Sequence, residues 1–166
     1  MAKRRDTEQP RTNATRRLDQ DSVAYTVHAF SPSIRSATDV AAAVGVPEER
    51  VFKTLVTMAD DEKPVLAMLP GDRELDLKSL ARACGAKRCQ MASQREAEDL
   101  TGLRVGGISA LALRERAWDV YLDESALAYE SILVSAGKRG VNVELGVQDL
   151  VAVTGARVAG LCRPAP

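Results

Sequence analysis

A lysine in the middle of an apolar run is the first residue of this chain whose type and place could do chemistry. The run reads Val51-Phe52-Lys53-Thr54-Leu55-Val56. Its β-branched and aromatic residues favour a pleated, half-buried strand. Side chains alternate along a strand, so Val51, Lys53 and Leu55 share one face, and Phe52, Thr54 and Val56 the other. Neither face is polar. On a central strand, Lys53 would hold an ammonium among apolar neighbours and would need a partner or a lowered pKa. On an edge strand its stem would lie on apolar surface with its head in water. Both readings are open from the strand alone.

Other residue types add candidates. Gly106-Gly107 sits in the extended-looking Val105-Gly106-Gly107-Ile108-Ser109. Paired glycines there mark either a structural bulge or a close approach of backbone to another group. Exposed N–H groups beside Ser109 could hold an oxyanion or a phosphate. Ser135, Gly137 and Lys138-Arg139-Gly140 form a second polar, basic stretch at a hairpin tip, where a solvated turn is the other reading. Asn142 falls on the opposite face from Val141, Val143 and Leu145, alongside Glu144, pointing into a site or into solvent. His28 is the single histidine of the chain. No serine or cysteine is visibly tied to it, so a satisfied structural histidine is the preferred reading. Three cysteines, Cys84, Cys89 and Cys162, form no paired framework and no zinc spacing, which suits reduced thiols. A hydrolase elbow, a Walker loop and a dinucleotide fingerprint are absent. Chemistry here must rest on positioning and electrostatics.

The elements that would position these residues read as follows. Residues 1–12 carry Lys3, Arg4, Arg5 and Arg11 without apolar pattern and are expected to be a disordered basic arm. Residues 13–166 are expected to form one domain. A short helix spans 14–19 with Asn13 as cap, and a strand spans 23–30. Thr38 caps a helix through Val44, stopped by Gly45. The lysine strand turns at Asp60-Asp61 into a second strand, Val65 to Leu69. Asp76 caps a helix to Cys84, Cys89 to Ala92 is a short strand, and Ser93 caps a helix through Leu100. Residues 105–109 and 118–122 read as extended. Ile132 to Ser135 and Val141 to Leu145 make a hairpin, Val147 to Val153 a last helix, and Arg157 to Leu161 a return to the sheet. The class is a mixed α+β domain around one curved, mostly antiparallel sheet.

The chain has 166 residues, 45% hydrophobic and 28% charged, the balance of a soluble globular domain with its own core. Basic and acidic residues number 23 each, so net charge neither demands nor excludes a nucleic-acid partner. No apolar run approaches a membrane span and the N-terminus lacks a secretion signal, so the expected location is the cytoplasm.

Four stretches in order now carry a resemblance: Val51-Phe52-Lys53-Thr54-Leu55, Pro70-Gly71-Asp72-Arg73-Glu74-Leu75-Asp76-Leu77, Val105 to Ser109, and Val134-Ser135-Ala136-Gly137-Lys138-Arg139-Gly140. From roughly Asn13 to Ala156 the chain resembles the YbaK/EbsC family. These are free-standing aminoacyl-tRNA deacylases related to the editing insertion of bacterial prolyl-tRNA synthetase. The resemblance implies that family's mixed α+β domain, hydrolysis of a mischarged aminoacyl-tRNA, most typically Cys-tRNA(Pro), and no cofactor. Lys53 matches the family's essential lysine, and Gly106, Gly107, Ile108 and Ser109 match its glycine-rich pocket wall. Phe30, Ser135, Gly137 and Asn142 are expected to complete the pocket, with Lys138, Arg139 and Arg73 on tRNA phosphates. The family's Cys-tRNA(Pro) deacylases often carry tyrosine where Phe30 stands and a carboxylate where Asn142 stands. A charged Lys53 opposite the N–H groups of Gly106 or Gly107 would stabilise the tetrahedral intermediate. In the cysteine-specific members the substrate's own thiol attacks the ester. Two alternatives stay open: removal of another small amino acid, alanine or serine, from tRNA, and a non-catalytic tRNA- or synthetase-binding module. Prolyl-tRNA synthetase is a compatible partner for all three.

Overall fold

The computed structural model describes residues 10–34, 36–113 and 118–164; most of the expected basic arm, residues 1–9, lies outside the described residues. The expected mixed α+β class is present, with the strands divided between two sheets. One sheet contains β1 (Tyr25–Ala29), β6 (Ser131–Lys138) and β7 (Val141–Gly146) in the order β1-β7-β6, all antiparallel. The other contains β2 (Phe52–Met58), β3 (Pro64–Pro70), β4 (Gln90–Met91), β5 (Asp119–Asp123) and β8 (Arg157–Ala159) in the order β4-β2-β3-β5-β8. The β2–β3 hairpin and the short β2–β4 pairing are antiparallel, while β3–β5 and β5–β8 are parallel. An isolated bridge between Val51 and Leu133 joins the two sheets.

Among the described residues, five eight-residue α-helices pack on this frame: α1 (Asn13–Gln20), α2 (Ala37–Val44), α3 (Leu77–Cys84), α4 (Gln94–Thr101) and α5 (Val147–Thr154). Side-chain caps set where α1 to α4 begin, while α5 follows Gly146 without one. Asp76 accepts from the amides of Lys78 and Ser79, as its side chain dictates. Ser93 and Glu96 form a reciprocal capping box at α4. Two caps fall elsewhere than the sequence reading has them. Thr12 caps α1, exchanging bonds with Thr15, and Ser36 caps α2. In both cases a hydroxyl just upstream reaches the third amide of the helix better than the expected residue, which lies inside the first turn.

Apolar burial follows the strand alternation. Phe52, Val56, Leu66 and Met68 enter the main core with Ile132, Val134, Val143 and Leu145. The opposite face of β3 supplies Val65, Ala67 and Leu69 to a second cluster with Leu80 and Tyr121. A third cluster packs Val40 and Ala41 of α2 against Val51 and Leu133, beside the bridge between the sheets. Residues 105–109 form no strand. Gly107 donates to the Arg104 carbonyl at 2.8 Å, closing a turn that an extended segment could not hold.

Candidate functional site

A cavity of about 390 Å³ opens where the two sheets meet. Its floor is β2, with every residue from Val51 to Val56 contributing. Ile34, Ala37 and Val40 form one wall, Met91, Ala92, Gln94 and Ala97 a second, and Val105, Gly106 and Ile108 a third. Phe30, Ser135 and Asn142 close it from the three-stranded sheet. Of the expected site residues, Lys53, Phe30, Gly106, Ile108, Ser135 and Asn142 therefore meet around one space.

Lys53 is the one ionisable residue among the described residues lining it. Its ammonium donates to the carbonyl of Arg73 at 2.7 Å and of Gly71 at 3.4 Å, in the turn after β3. Burial pulls its pKa below the usual lysine value, opposed by the nearby Cys162, Glu74 and Asp72. The Cys162 thiol is pushed up to about 12, first by burial and then by the Asp123 carboxylate. It therefore stays protonated at neutral pH and gives Lys53 no counter-charge there. Among the described residues no carboxylate makes an ion pair with Lys53. Two carbonyls occupy two of its three donors, which leaves one N–H to spare.

Asn142 is 6% exposed and lines the cavity, so its side chain points inward rather than to solvent. Ser135 sits across from it in the β6–β7 register, just before a bulge that ends at Lys138. The Ser135 hydroxyl accepts weakly from Gly137 N at 3.3 Å.

Three expected pocket residues do not line the cavity. Gly107 packs against the hairpin tip: a Cβ there would come within 2.9 Å of Arg139 N and 3.0 Å of the Lys138 carbonyl carbon. Its N–H is committed to Arg104, so it is not a donor for substrate. Ser109 is buried and its hydroxyl accepts from Ala112 N. Gly137 takes φ of +91° in the bulge, against Ala112. All three shape the wall from behind, a role their residue types alone do not distinguish from lining. Lys138 is exposed at the tip, while Arg139 donates to the Val105 carbonyl at 2.7 Å and clamps the glycine loop. The Arg73 guanidinium donates to the Arg163 carbonyl at 2.7 Å.

Sequence reasoning missed a polar cluster next to the site. Glu144 Oε2 accepts from Arg50 at 2.7 Å and from the Ser131 hydroxyl at 2.8 Å, and Glu144 Oε1 lies 3.0 Å from His28 Nε2. Burial works against ionising Glu144. The bonds from His28, Ser131 and Arg50 outweigh it and hold the carboxyl below the usual range. His28 is thus structurally satisfied, as expected. The signal was the shared parity of His28, Asn142 and Glu144, which the antiparallel register converts into one face.

The description "Aminoacyl-tRNA editing domain" matches residues 31–153. The Enterococcus faecalis protein named "Putative Cys-tRNA(Pro)/Cys-tRNA(Cys) deacylase EbsC" is 40% identical over 161 residues, 96% of this chain and 96% of that protein. A proline–tRNA ligase of Anaeromyxobacter is 35% identical over 117 residues, 70% of this chain but 20% of that enzyme. A crystal structure described as a "putative trans-editing enzyme for prolyl tRNA synthetase" superposes with a TM-score of 0.79 at 26% identity, covering 93% of this chain and all of that one.

Proposed function

Because the chain belongs to the aminoacyl-tRNA editing domain family, we propose that it hydrolyses mischarged aminoacyl-tRNA in trans, with Cys-tRNA(Pro) as its first substrate. The observation that carries this reading is the convergence of Lys53, Gly106, Ile108, Ser135, Asn142 and Phe30 on one apolar cavity with a single cation among its described lining residues. Such a cavity takes in the small acyl group of an activated ester, and offers electrostatics and positioning in place of a protein nucleophile. In the reaction, a nucleophile adds to the ester carbonyl carbon and the bond to the ribose oxygen breaks. That oxygen leaves as a hydroxyl after taking a proton. When water attacks, the amino acid departs as its carboxylate with release of one proton. A cysteinyl substrate supplies its own thiol as nucleophile. An S–C bond forms, the bond to the ribose oxygen breaks as that oxygen takes the thiol proton, and water then opens the released four-membered thiolactone. The apolar walls therefore need hold only the side chain in place.

Lys53 is the charge in this scheme. Its fixed carbonyl partners hold the ammonium at one spot, and its spare N–H is free for the ribose or the ester. Lys138 and the hairpin tip meet the tRNA backbone through phosphates, a contact that positions without reading sequence. The cytoplasm is the compartment where such a substrate is made, and no described helix is long and apolar enough to cross a membrane.

The test is a deacylation panel: purified protein with tRNA(Pro) carrying Cys, Ala, Ser or Pro. Preferential release of Cys, with Pro spared, is the expected result. Preferential release of Ala or Ser would transfer the activity to that substrate. Release of none, with tRNA still bound, would make the chain a binding module.

A further inference from the structure

Among the described residues, no strand covers the middle of the β2 edge that faces the cavity. On that edge Ala92 N donates to the Val56 carbonyl at 3.1 Å, whereas Gly71 N donates to the Val51 carbonyl at 2.9 Å on the β3 side. Backbone groups alternate in direction along a strand, so Phe52, Thr54 and Val56 present theirs outward, away from β3. Among the described residues, pairing on the outer edge begins at Thr57 with Met91 and resumes only at the isolated bridge of Val51 with Leu133. Thr54 lies midway. It lines the cavity, is 9% exposed, and its hydroxyl has no hydrogen-bond partner among the described residues. A valine would fill the same volume without the orphaned hydroxyl, so the fold alone supplies no reason for a threonine here.

We infer that Thr54 is where the aminoacyl group docks. Its backbone N–H donates to the ester carbonyl, and its backbone carbonyl accepts from the α-amino group. This rests on the aminoacyl-ester reading above. An aminoacyl ester carries an amine donor and a carbonyl acceptor on either side of one carbon. A strand residue offers its neighbour the same pair, so the substrate adds to β2 as a one-residue strand. The Thr54 N–H then points at the oxygen that gains negative charge when the nucleophile adds to the carbonyl. Gly107 cannot supply that donor, because its N–H is spent on Arg104. The Thr54 hydroxyl turns between staggered wells about χ1 to meet whatever polar hydrogen the docked group brings.

The experiment compares the wild type, Thr54→Val, and a protein in which Thr54 is replaced by its α-hydroxy analogue, which exchanges the backbone N–H for an oxygen and keeps the side chain. Each is assayed for single-turnover deacylation of the tRNA that the wild type cleaves fastest. Each is also titrated with 3′-aminoacylamino-adenosine, a stable amide, with and without its α-amino group. Melting curves establish that all three are folded. The α-hydroxy protein is expected to lose about 100-fold in rate. Thr54→Val should lose less than tenfold and melt at a higher temperature, and replacing the α-amino group by hydrogen should weaken binding of the amide to the wild type at least tenfold. A folded α-hydroxy protein within threefold of wild type, or undiminished binding of the amide that lacks the α-amino group, overturns the inference and leaves the deacylase reading standing. A wild type that neither cleaves any aminoacyl-tRNA nor binds the amide overturns both.

Discussion

The Lys53 ammonium lies 2.7 Å from the Arg73 carbonyl oxygen, so the charge of β2 is held against the turn that follows β3. A lysine needed only for solubility would extend to water. This one spends two donors on backbone carbonyls and keeps one, which fixes its direction.

Lys53→Ala is therefore expected to reduce deacylation by at least about 100-fold, the scale of an oxyanion-stabilising group. The same change frees two carbonyls and relieves a half-buried charge, effects of opposite sign on stability. The net cost should stay within about 1 kcal/mol, roughly 2–4 °C in melting temperature. A pH series adds a second check. Burial lowers the Lys53 pKa in the folded state, whereas the unfolded chain titrates near 10.5. Between those two values the unfolded state binds more protons, so wild-type stability gains a contribution as pH rises through that window. Lys53→Met should lack the rise. Full activity in Lys53→Ala would remove Lys53 from the scheme, and identical pH slopes in wild type and Lys53→Met would show that burial does not lower its pKa.

The adjacent glycines should fail in different ways. Gly107→Ala pushes a methyl to within 2.9 Å of the Arg139 amide nitrogen, where backbone cannot yield. Overpacking of this kind costs about 1–3 kcal/mol, and activity should fall in step with stability. Gly106 lines the cavity at φ of +93°, a region in which alanine is strained by about 1–2 kcal/mol. The space around its Cβ is open enough, 3.5 Å from the Arg139 side chain. Gly106→Ala should thus lose turnover beyond what its milder melting shift explains. Equal rate losses in two variants matched for stability would return both glycines to a purely structural role.

Much of this fold is written in local chemistry. Strand alternation around Lys53, the Asp76 and Ser93 caps, and the β6–β7 hairpin are readable because each depends on residues a few positions apart. The loop at 105–109 is different. Its extended appearance comes from β-branched residues, but the Arg104–Gly107 turn and the Arg139 clamp decide it, and the latter is contributed from more than 30 residues away. The cavity is legible only in part for the same reason. Lys53, Gly106 and Asn142 stand out by type, whereas Ile34, Ala37, Val40 and Met91 line it as ordinary apolar residues that tertiary packing brings to one place. Strand alternation puts Thr54 on the face of Phe52 and Val56, which enter the main core. Nothing in its type announced a hydroxyl without a partner.

Glu144→Gln tests the cluster that ties Arg50, at the head of β2, to the three-stranded sheet. The folded carboxyl is held below its usual range, so its contribution is present above the unfolded value near 4.5 and disappears as pH falls through the folded one. Glu144→Gln should destabilise by about 1–2 kcal/mol at pH 7, with the difference from wild type shrinking in acid. Chemical denaturation at pH 7 and pH 3 measures both. A gap that stays constant or widens in acid would show that shape, rather than charge, holds the cluster.

Asn142→Asp asks whether the Lys53 charge reaches across the cavity. Asn142 is 6% exposed, and among the described residues Lys53 is the only ionisable side chain lining the same space. With the ammonium engaged by Gly71 and Arg73, and His28, directly across in the register, bonded to Glu144, the new carboxylate should find no free counter-ion, and burial should raise its pKa in the folded state. The sign follows. The variant should match wild type in acid, where the carboxyl is protonated in both states, and lose stability as pH climbs from the unfolded value toward the folded one. Each unit of upward shift removes about 1.4 kcal/mol, so a shift of two units predicts a loss of roughly 3 kcal/mol at pH 8. Melting temperatures of variant and wild type from pH 4 to pH 8 give the difference directly. A variant that keeps pace with wild type up to pH 8 would mean that Lys53 turns from its carbonyl partners to meet the carboxylate. The ammonium would then be a mobile charge within the cavity, and the fixed position assigned to it here would be wrong.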